Sequence, residues 1–422
     1  MQLLRYDSAS SEADCEYFFR NCSIMNYQKG TRFMLLKCQT GYTLRQIKNT
    51  SYLLPYGQQI ADQKKGTVMN ETSVFLWNAL QCAGNASLED LTSHLVAHYN
   101  LGEAEFSSVL EDVKGWAMQL LQYGMLVESL CPVSEEASCH FSIAGLSLHL
   151  YDPVGLVGAA FDAFRTDSAA AAADQRIDLL TVPPDSRSYG QVLLQNKEMT
   201  IFQNSDRYVV LFPTMPDIYE AHMTLDGSYV RIYCKPVHTR EVSDNLFHAI
   251  RLFFLYFAQK NGRFAVHSAS ILYREKAWLF SGHSGMGKST HTALWHKLFQ
   301  TPYLNGDLNL IGIENGQLFV YGIPWCGTSG IFTTKEYPLG GIVLLGRSQE
   351  REQLEELSAS DKILRVMQRM ISPAWTEELL SRNLSFASEI ADKVPVFHLS
   401  CTMHPSAAQA ARDEIDRQEA LR

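Results

Sequence analysis

Several things are missing from this 422-residue sequence. There is no C-x-x-C pair. The nine cysteines, an odd number, are scattered at Cys15, Cys22, Cys38, Cys82, Cys131, Cys139, Cys234, Cys326 and Cys401. That spacing argues against a zinc or redox site and fits reduced thiols in a cytosolic protein. There is no long hydrophobic run. The longest, Leu252–Ala258, falls far short of the ~20 residues that span a bilayer, so no membrane role is expected. There is no surplus of basic charge either. Thirty-six Lys and Arg against forty-five Asp and Glu leave a net charge of −9. Neutralising phosphates takes a basic surface, so nucleic acid is not an expected partner. The first residues lack a basic start and a long apolar core, so a secretory signal is not expected. The expected location is the cytoplasm.

What remains is a globular composition, with 46% apolar and 19% charged residues. A chain this long can bury more than one core, and about two or three domains are expected. The first 28 residues carry no readable pattern. "YTLRQI" and "SYLLPYG" read as two strands joined by a turn at 48–50. Asn70 is placed to cap a helix whose apolar face carries Phe75, Leu76, Ala79 and Leu80. Ser87 followed by Asp90 resembles a capping box, ahead of a stripe of Leu88, Leu91, Leu95, Val96 and Tyr99. A third helix is expected over 104–123, ended by Gly124, with "MLVES" returning as a strand. This order reads as a small winged-helix-like module. DNA binding by such a module is disfavoured by the acidic chain and by the scarcity of Arg and Lys on the third helix.

Residues 129–139 read as a linker. "SCHFSIAGLSLHLYD" alternates and reads as a strand. The alanine run in "TDSAAAAADQR" (166–176) is given no function. Residues 188–236 alternate repeatedly and read as mostly β. "NLFHAIRLFFLYFAQKNG" reads as a buried helix that stops at Gly262.

The most informative stretch is "SGHSGMGKST", residues 281–290. Gly282, Gly287, Lys288 and Ser289 fit G-x-x-x-x-G-K-[ST], with strand-like "KAWLFS" before and a helical face of Ala293, Leu294, Leu298 and Phe299 after. Glycines let backbone N–H groups turn inward around phosphate oxygens. The helix start adds the positive end of its dipole. Lys288 supplies a point charge for the β- and γ-phosphates, and the Ser289 hydroxyl can sit on Mg²⁺. Ser284, Gly285, Met286 and Thr290 complete the expected nucleotide loop. Asp307, in "YLNGDLNLIGI", is the expected carboxylate for the metal or for a proton. His267, in "FAVHSASILYREKAWLF", falls on a strand next to the loop's own strand. On its own, a lone histidine in an apolar strand is more often a core residue.

Two resemblances add to this. Leu44-Arg45, Tyr52-Leu53-Leu54-Pro55, Met69-Asn70-Glu71-Thr72, Phe75-Leu76-Trp77 and Gly124-Met125-Leu126 make residues 40–128 resemble the PqqD-like family. That resemblance implies binding of a precursor peptide's leader as an added strand, with other peptide-modifying enzymes as further candidate partners. Residues 251–345, and more weakly to about 410, are similar to the HPr kinase/phosphorylase family, whose core is shared with ATP-dependent phosphoenolpyruvate carboxykinases. The similarity lies in His267 at the head of "HSAS", the 282–289 loop, Asp307, and "YGIPWCGTSG" with "YPLGGIVLL". It implies ATP and Mg²⁺ as cofactors, Asp307, His267 and Lys288 as catalytic residues, Ser289 and Asp307 as metal ligands, and is compatible with a homo-oligomer. One position departs: the family's second Asp is Leu308 here.

The expectation is an α+β and α/β multidomain chain: an N-terminal segment (1–28), a winged-helix-like peptide-recognition domain (29–128), a β-rich middle (140–250) and a carboxykinase-like nucleotide domain (251–422). The expected activity is an ATP-dependent serine/threonine kinase acting on a ribosomally made peptide. The alternatives are a small-molecule or protein serine kinase with a vestigial peptide domain, or a non-catalytic nucleotide-binding peptide chaperone.

Overall fold

The structure is a computed structural model. It describes residues 35–134, 136–167, 173–184, 189–204 and 206–420. The expected N-terminal segment 1–28 and most of the alanine run lie outside the described residues. The chain divides into two compact units, Met1–Val133 and Ser134–Arg422. The architecture is mixed α/β with several sheets.

The first unit holds β1 (Leu36–Cys38), β2 (Tyr42–Ile47), β3 (Thr50–Pro55), α1 (Gln58–Ala61), β4 (Thr67–Met69), α2 (Glu71–Ala83), α3 (Leu88–Tyr99), α4 (Phe106–Gln122) and β5 (Leu126–Glu128). Its helices start where short polar side chains satisfy the first amides. The Asn70 side chain accepts from Ser73 N. Ser87 and Asp90 form a reciprocal capping box. Leu76, Trp77, Leu80, Leu91, Leu95, Val113, Ala117 and Leu120 make one core with Leu36 and Leu53. β1 pairs antiparallel with β5, and β2, β3 and β4 form a three-stranded sheet in that order.

The second unit opens with β6 (Cys139–Ile143), β7 (Leu146–Tyr151), β8 (Gln175–Leu180), β9 (Gln191–Gln195), β10 (Thr200–Gln203), β11 (Arg207–Leu211), β12 (Ile218–Thr224) and β13 (Tyr229–Cys234). They form one sheet in the order β6-β7-β8-β13-β12-β11-β10-β9. The stretch expected as a single strand at 138–152 is a hairpin instead. Ala144 and Gly145 both take positive φ (54° and 70°) and reverse the chain. Alternation continues across such a two-residue turn, which is why the pattern hid it.

α5 (Arg240–Lys260) follows, capped by Thr239, whose side chain accepts from Val242 N. It starts five residues earlier than the apolar pattern signals, because its first turn is solvated. The expected border at 250/251 falls inside this helix. Its apolar face packs one core shared by the first sheet and by Leu308, Leu310, Ile323 and Trp325 of the second.

The second sheet comprises β14 (Arg263–Tyr273), β15 (Lys276–Ser281), β16 (Tyr303–Asn305), β17 (Leu308–Glu314), β18 (Gln317–Tyr321), β19 (Tyr337–Arg347), β20 (Gln353–Glu355) and β21 (Val396–Cys401). The order is β15-β14-β17-β18-β19-β21-β20, and β15 also pairs parallel with β19, so five strands close on themselves. α6 (Lys288–Phe299), α7 (Ala359–Met367), α8 (Glu377–Lys393) and α9 (Pro405–Ala420) cover it. Gln259, fully buried on α5, donates to the carbonyls of Pro373 and Leu379 and to Asn383 Oδ1, which ties α5 to the start of α8. Among the described residues no helix is long and apolar enough to cross a membrane.

Candidate functional site

β15 is buried and runs parallel to β19. It delivers the chain into the glycine loop at Gly282. The loop ends at Gly287, which stands at the N-cap of α6 with φ +87° and offers no side-chain cap. An L-residue resists that conformation, so glycine is required there. The first amides of α6 are therefore left for another acceptor. Two long-range bonds hold the loop: Arg347 Nη2 donates to Gly285 O at 2.7 Å, and Ser281 Oγ donates to His267 O at 2.6 Å. Lys288 folds back so that Nζ donates to Gly282 O at 3.3 Å. Ser284 and Ser289 are exposed, and Met286 and Thr290 are half-buried on the loop and first turn.

Asp307 lies in the bend between β16 and β17. Asn305 shapes that bend: its Oδ1 accepts from Asp307 N and Leu308 N, while its Nδ2 donates to Trp325 O. The Asp307 carbonyl accepts from Ser268 N at 2.9 Å, next to His267 on β14. His267 Nδ1 and Asp307 Oδ1 approach to 3.4 Å, with both side chains about one-third exposed (31% and 34%). Gly327, at φ +62°, lies against the same carboxylate, where a Cβ would sit 2.9 Å from Asp307 Cγ.

Arg369, which the sequence did not single out, belongs to this group. Its carbonyl accepts from His267 N at 2.8 Å, and its guanidinium lies 2.8–3.0 Å from both ring nitrogens of His283. A neutral imidazole has one acceptor nitrogen, so only one of those contacts is a full hydrogen bond. Burial lowers the Arg369 pKa from its ordinary value. Burial also lowers the Lys288 pKa, with Asp307 opposing and Arg369 adding. For His267, burial and then the Lys288 charge depress the pKa, while Asp307 pulls it back up. The imidazole is thus kept neutral near pH 7 and can accept a proton.

Leu308, at the position of the missing second carboxylate, points into the core with Leu310, Ile323 and Trp325 and is 1% exposed. Asp307 is therefore the carboxylate at this bend. Among the described residues no cluster of three or more His, Cys, Asp or Glu could hold a metal by protein ligands alone. Ser289 and Asp307 carry oxygen donors of the kind that Mg²⁺ takes. Two cavities flank the loop. One of about 250 Å³ is lined by His283, Arg365, Arg369 and His398; the other, about 360 Å³, by Met286, Thr290, Leu294, Gln349 and Met403.

No family model matches this chain, and no curated protein matches it. Among solved structures it is similar to the Hpr(Ser) kinase/phosphatase from Coxiella burnetii, at 9% identity and a TM-score of 0.22, covering 37% of this chain and 95% of that one.

Proposed function

We propose that this chain is a kinase that moves the γ-phosphoryl group of ATP to a serine or threonine hydroxyl of a peptide bound by its first unit. The observation that carries the reading is the convergence of Lys288, His267 and Asp307 beside a glycine loop whose helix begins without a side-chain cap. In this reading the amides at the start of α6, with Lys288, take the β- and γ-phosphates. Ser289 and Asp307 would hold Mg²⁺, which would supply charge neutralisation at the phosphates. With Leu308 in the core, the proton of the acceptor hydroxyl falls to His267. The hydroxyl oxygen forms the new P–O bond, the bond to the β-phosphate oxygen breaks, and ADP is released. The first unit supports peptide capture through the open edges of its β2-β3-β4 sheet, where Ile47 and Val68 are exposed. Tethering raises the acceptor's local concentration, so the transfer site need not bind it tightly.

The test is intact-mass analysis of the short peptides encoded beside the gene, after incubation with the full-length protein and Mg·ATP. A phosphoryl gain that disappears in Lys288→Ala supports the kinase. One observation favours a second reading, a nucleotide-binding peptide chaperone: the second carboxylate is replaced by the buried Leu308. Nucleotide and peptide binding with no phosphoryl transfer in a single turnover would establish that reading and remove the kinase.

A further inference from the structure

The cavity of about 250 Å³ beside the glycine loop takes no part in the transfer chemistry above. Three parallel strands line it. Ser281 is the last residue of β15, Gly346 the last but one of β19, and His398 stands on β21. Ligands of parallel sheets collect outside the carboxyl ends of such strands. Lys288, Ser289, His267 and Asp307 do not line this cavity, and Met286 is the one residue it shares with the larger cavity beside α6. It is thus a separate space from the amides at the start of α6.

The charge around it is one-sided. Arg365, Arg369, His283 and His398 line it, and among the described residues no Asp or Glu does. Glu355, outside that lining, offsets one of the two arginines. Arg365 Nη1 and Nη2 each donate to its carboxylate at 3.2 Å, and His398 Nδ1 lies 2.9 Å from the same group. Arg369 has no such carboxylate. Among the described residues its guanidinium meets only the His283 ring, at 3.0 and 2.8 Å. That pairing is one acceptor short. Each ring nitrogen faces an Arg369 nitrogen, and a neutral imidazole accepts at only one of them, which sets an N–H against an N–H. An anion in the cavity would relieve that contact by accepting from both groups. Arg365 keeps further N–H groups beyond those given to Glu355. Such a set of donors exceeds what the two oxygens of a carboxylate use and suits the three oxygens of a phosphoryl group.

We propose that this cavity binds a phosphoryl group, carried by inorganic phosphate or by a small phosphorylated molecule, at a site separate from the glycine loop. Arg369 is its principal ligand and His283 the second. The Arg369 carbonyl accepts from His267 N at 2.8 Å, which ties the site to the strand that carries His267. The site stands whether or not the chain transfers phosphoryl groups.

The experiment is calorimetric titration of the full-length protein, without nucleotide, with inorganic phosphate, methyl phosphate and acetate. The parent protein should bind a phosphoryl probe, and acetate ~10-fold more weakly. Arg369→Gln should weaken the phosphoryl probes by ~10-fold or more, the size of one charge-assisted bidentate contact, while Arg369→Lys keeps part of the affinity. His283→Ala, at an exposed loop position, should weaken them by about 3-fold, the size of one neutral hydrogen bond. A second phosphate held by the glycine loop would be lost in Lys288→Ala and kept in Arg369→Gln, so the two sites are told apart. An unchanged melting temperature identifies the folded variants, and if Arg369→Gln does not fold, His283→Ala decides. Tighter binding of inorganic phosphate identifies the free ion as the ligand, and tighter binding of methyl phosphate identifies a phosphorylated molecule. No binding of either phosphoryl probe, acetate bound as tightly as they are, or phosphate affinity unchanged in folded Arg369→Gln or in His283→Ala overturns the proposal.

Discussion

Two helix starts, one in each unit, are built in opposite ways. α3 in the first unit opens on a closed box: Ser87 Oγ accepts from Asp90 N, and Asp90 Oδ2 accepts from Ser87 N, so two donors at its start are occupied by side chains. α6 in the second unit opens on Gly287 with no capping side chain. The first arrangement spends its donors on stability. The second leaves them for a ligand, and Arg347, through the Gly285 carbonyl, holds the open loop in shape. The two helices thus differ in what occupies the first turn: a side-chain box in one, open amides in the other.

Breaking the receiving end has the largest expected effect. If the chain is the kinase proposed, Asp307→Asn should keep nucleotide binding and lower phosphoryl transfer by ~10²–10³-fold, as measured in a single-turnover assay, because the carboxylate that would hold the metal is lost while the shape remains. Unchanged transfer would mean that the uncapped start of α6 is not facing a reaction centre.

The next effect is on stability, one turn along the same helix. Burial pushes the His291 pKa down to about 4 from its ordinary 6.5, and its Nε2 accepts from Trp295 Nε1. The folded pKa lies below the unfolded one, so below pH 6.5 the unfolded chain takes up a proton that the native state refuses. Stability therefore falls as pH drops from about 6.5 to about 4 and levels off beneath that, by about 3 kcal/mol in all. Chemical denaturation across that range should show the slope, and His291→Gln should flatten it. A slope that persists in the variant would assign it to other groups.

The smallest effect belongs to the closed box. Ser87→Ala should cost about 1 kcal/mol in denaturant unfolding and leave the affinity for Mg·ATP unchanged. A change in nucleotide affinity would remove the contrast between the two helix starts.

The legible parts of the site are the local ones. The glycine loop, Lys288 and Ser289 follow one another along the chain, and the caps at Asn70 and Ser87 act within one turn. Asp307 and His267 can be named as partners from the sequence, but the 3.4 Å contact depends on β14 pairing His267 with Leu308 of β17. The Ala144–Gly145 reversal stays hidden because period-two alternation runs unbroken through it.

The sequence by itself determined where a glycine loop would meet a helix start and that position 308, a leucine, carries no carboxylate. Only the tertiary structure decided that Arg369 lies beside His267, that Gly327 lies against Asp307, and that Leu308 is core. The reason is separation. A loop and its helix are fixed by backbone geometry within a few residues. His267, Asp307 and Gly327 come from three separate stretches of the chain and meet only after the strands have closed.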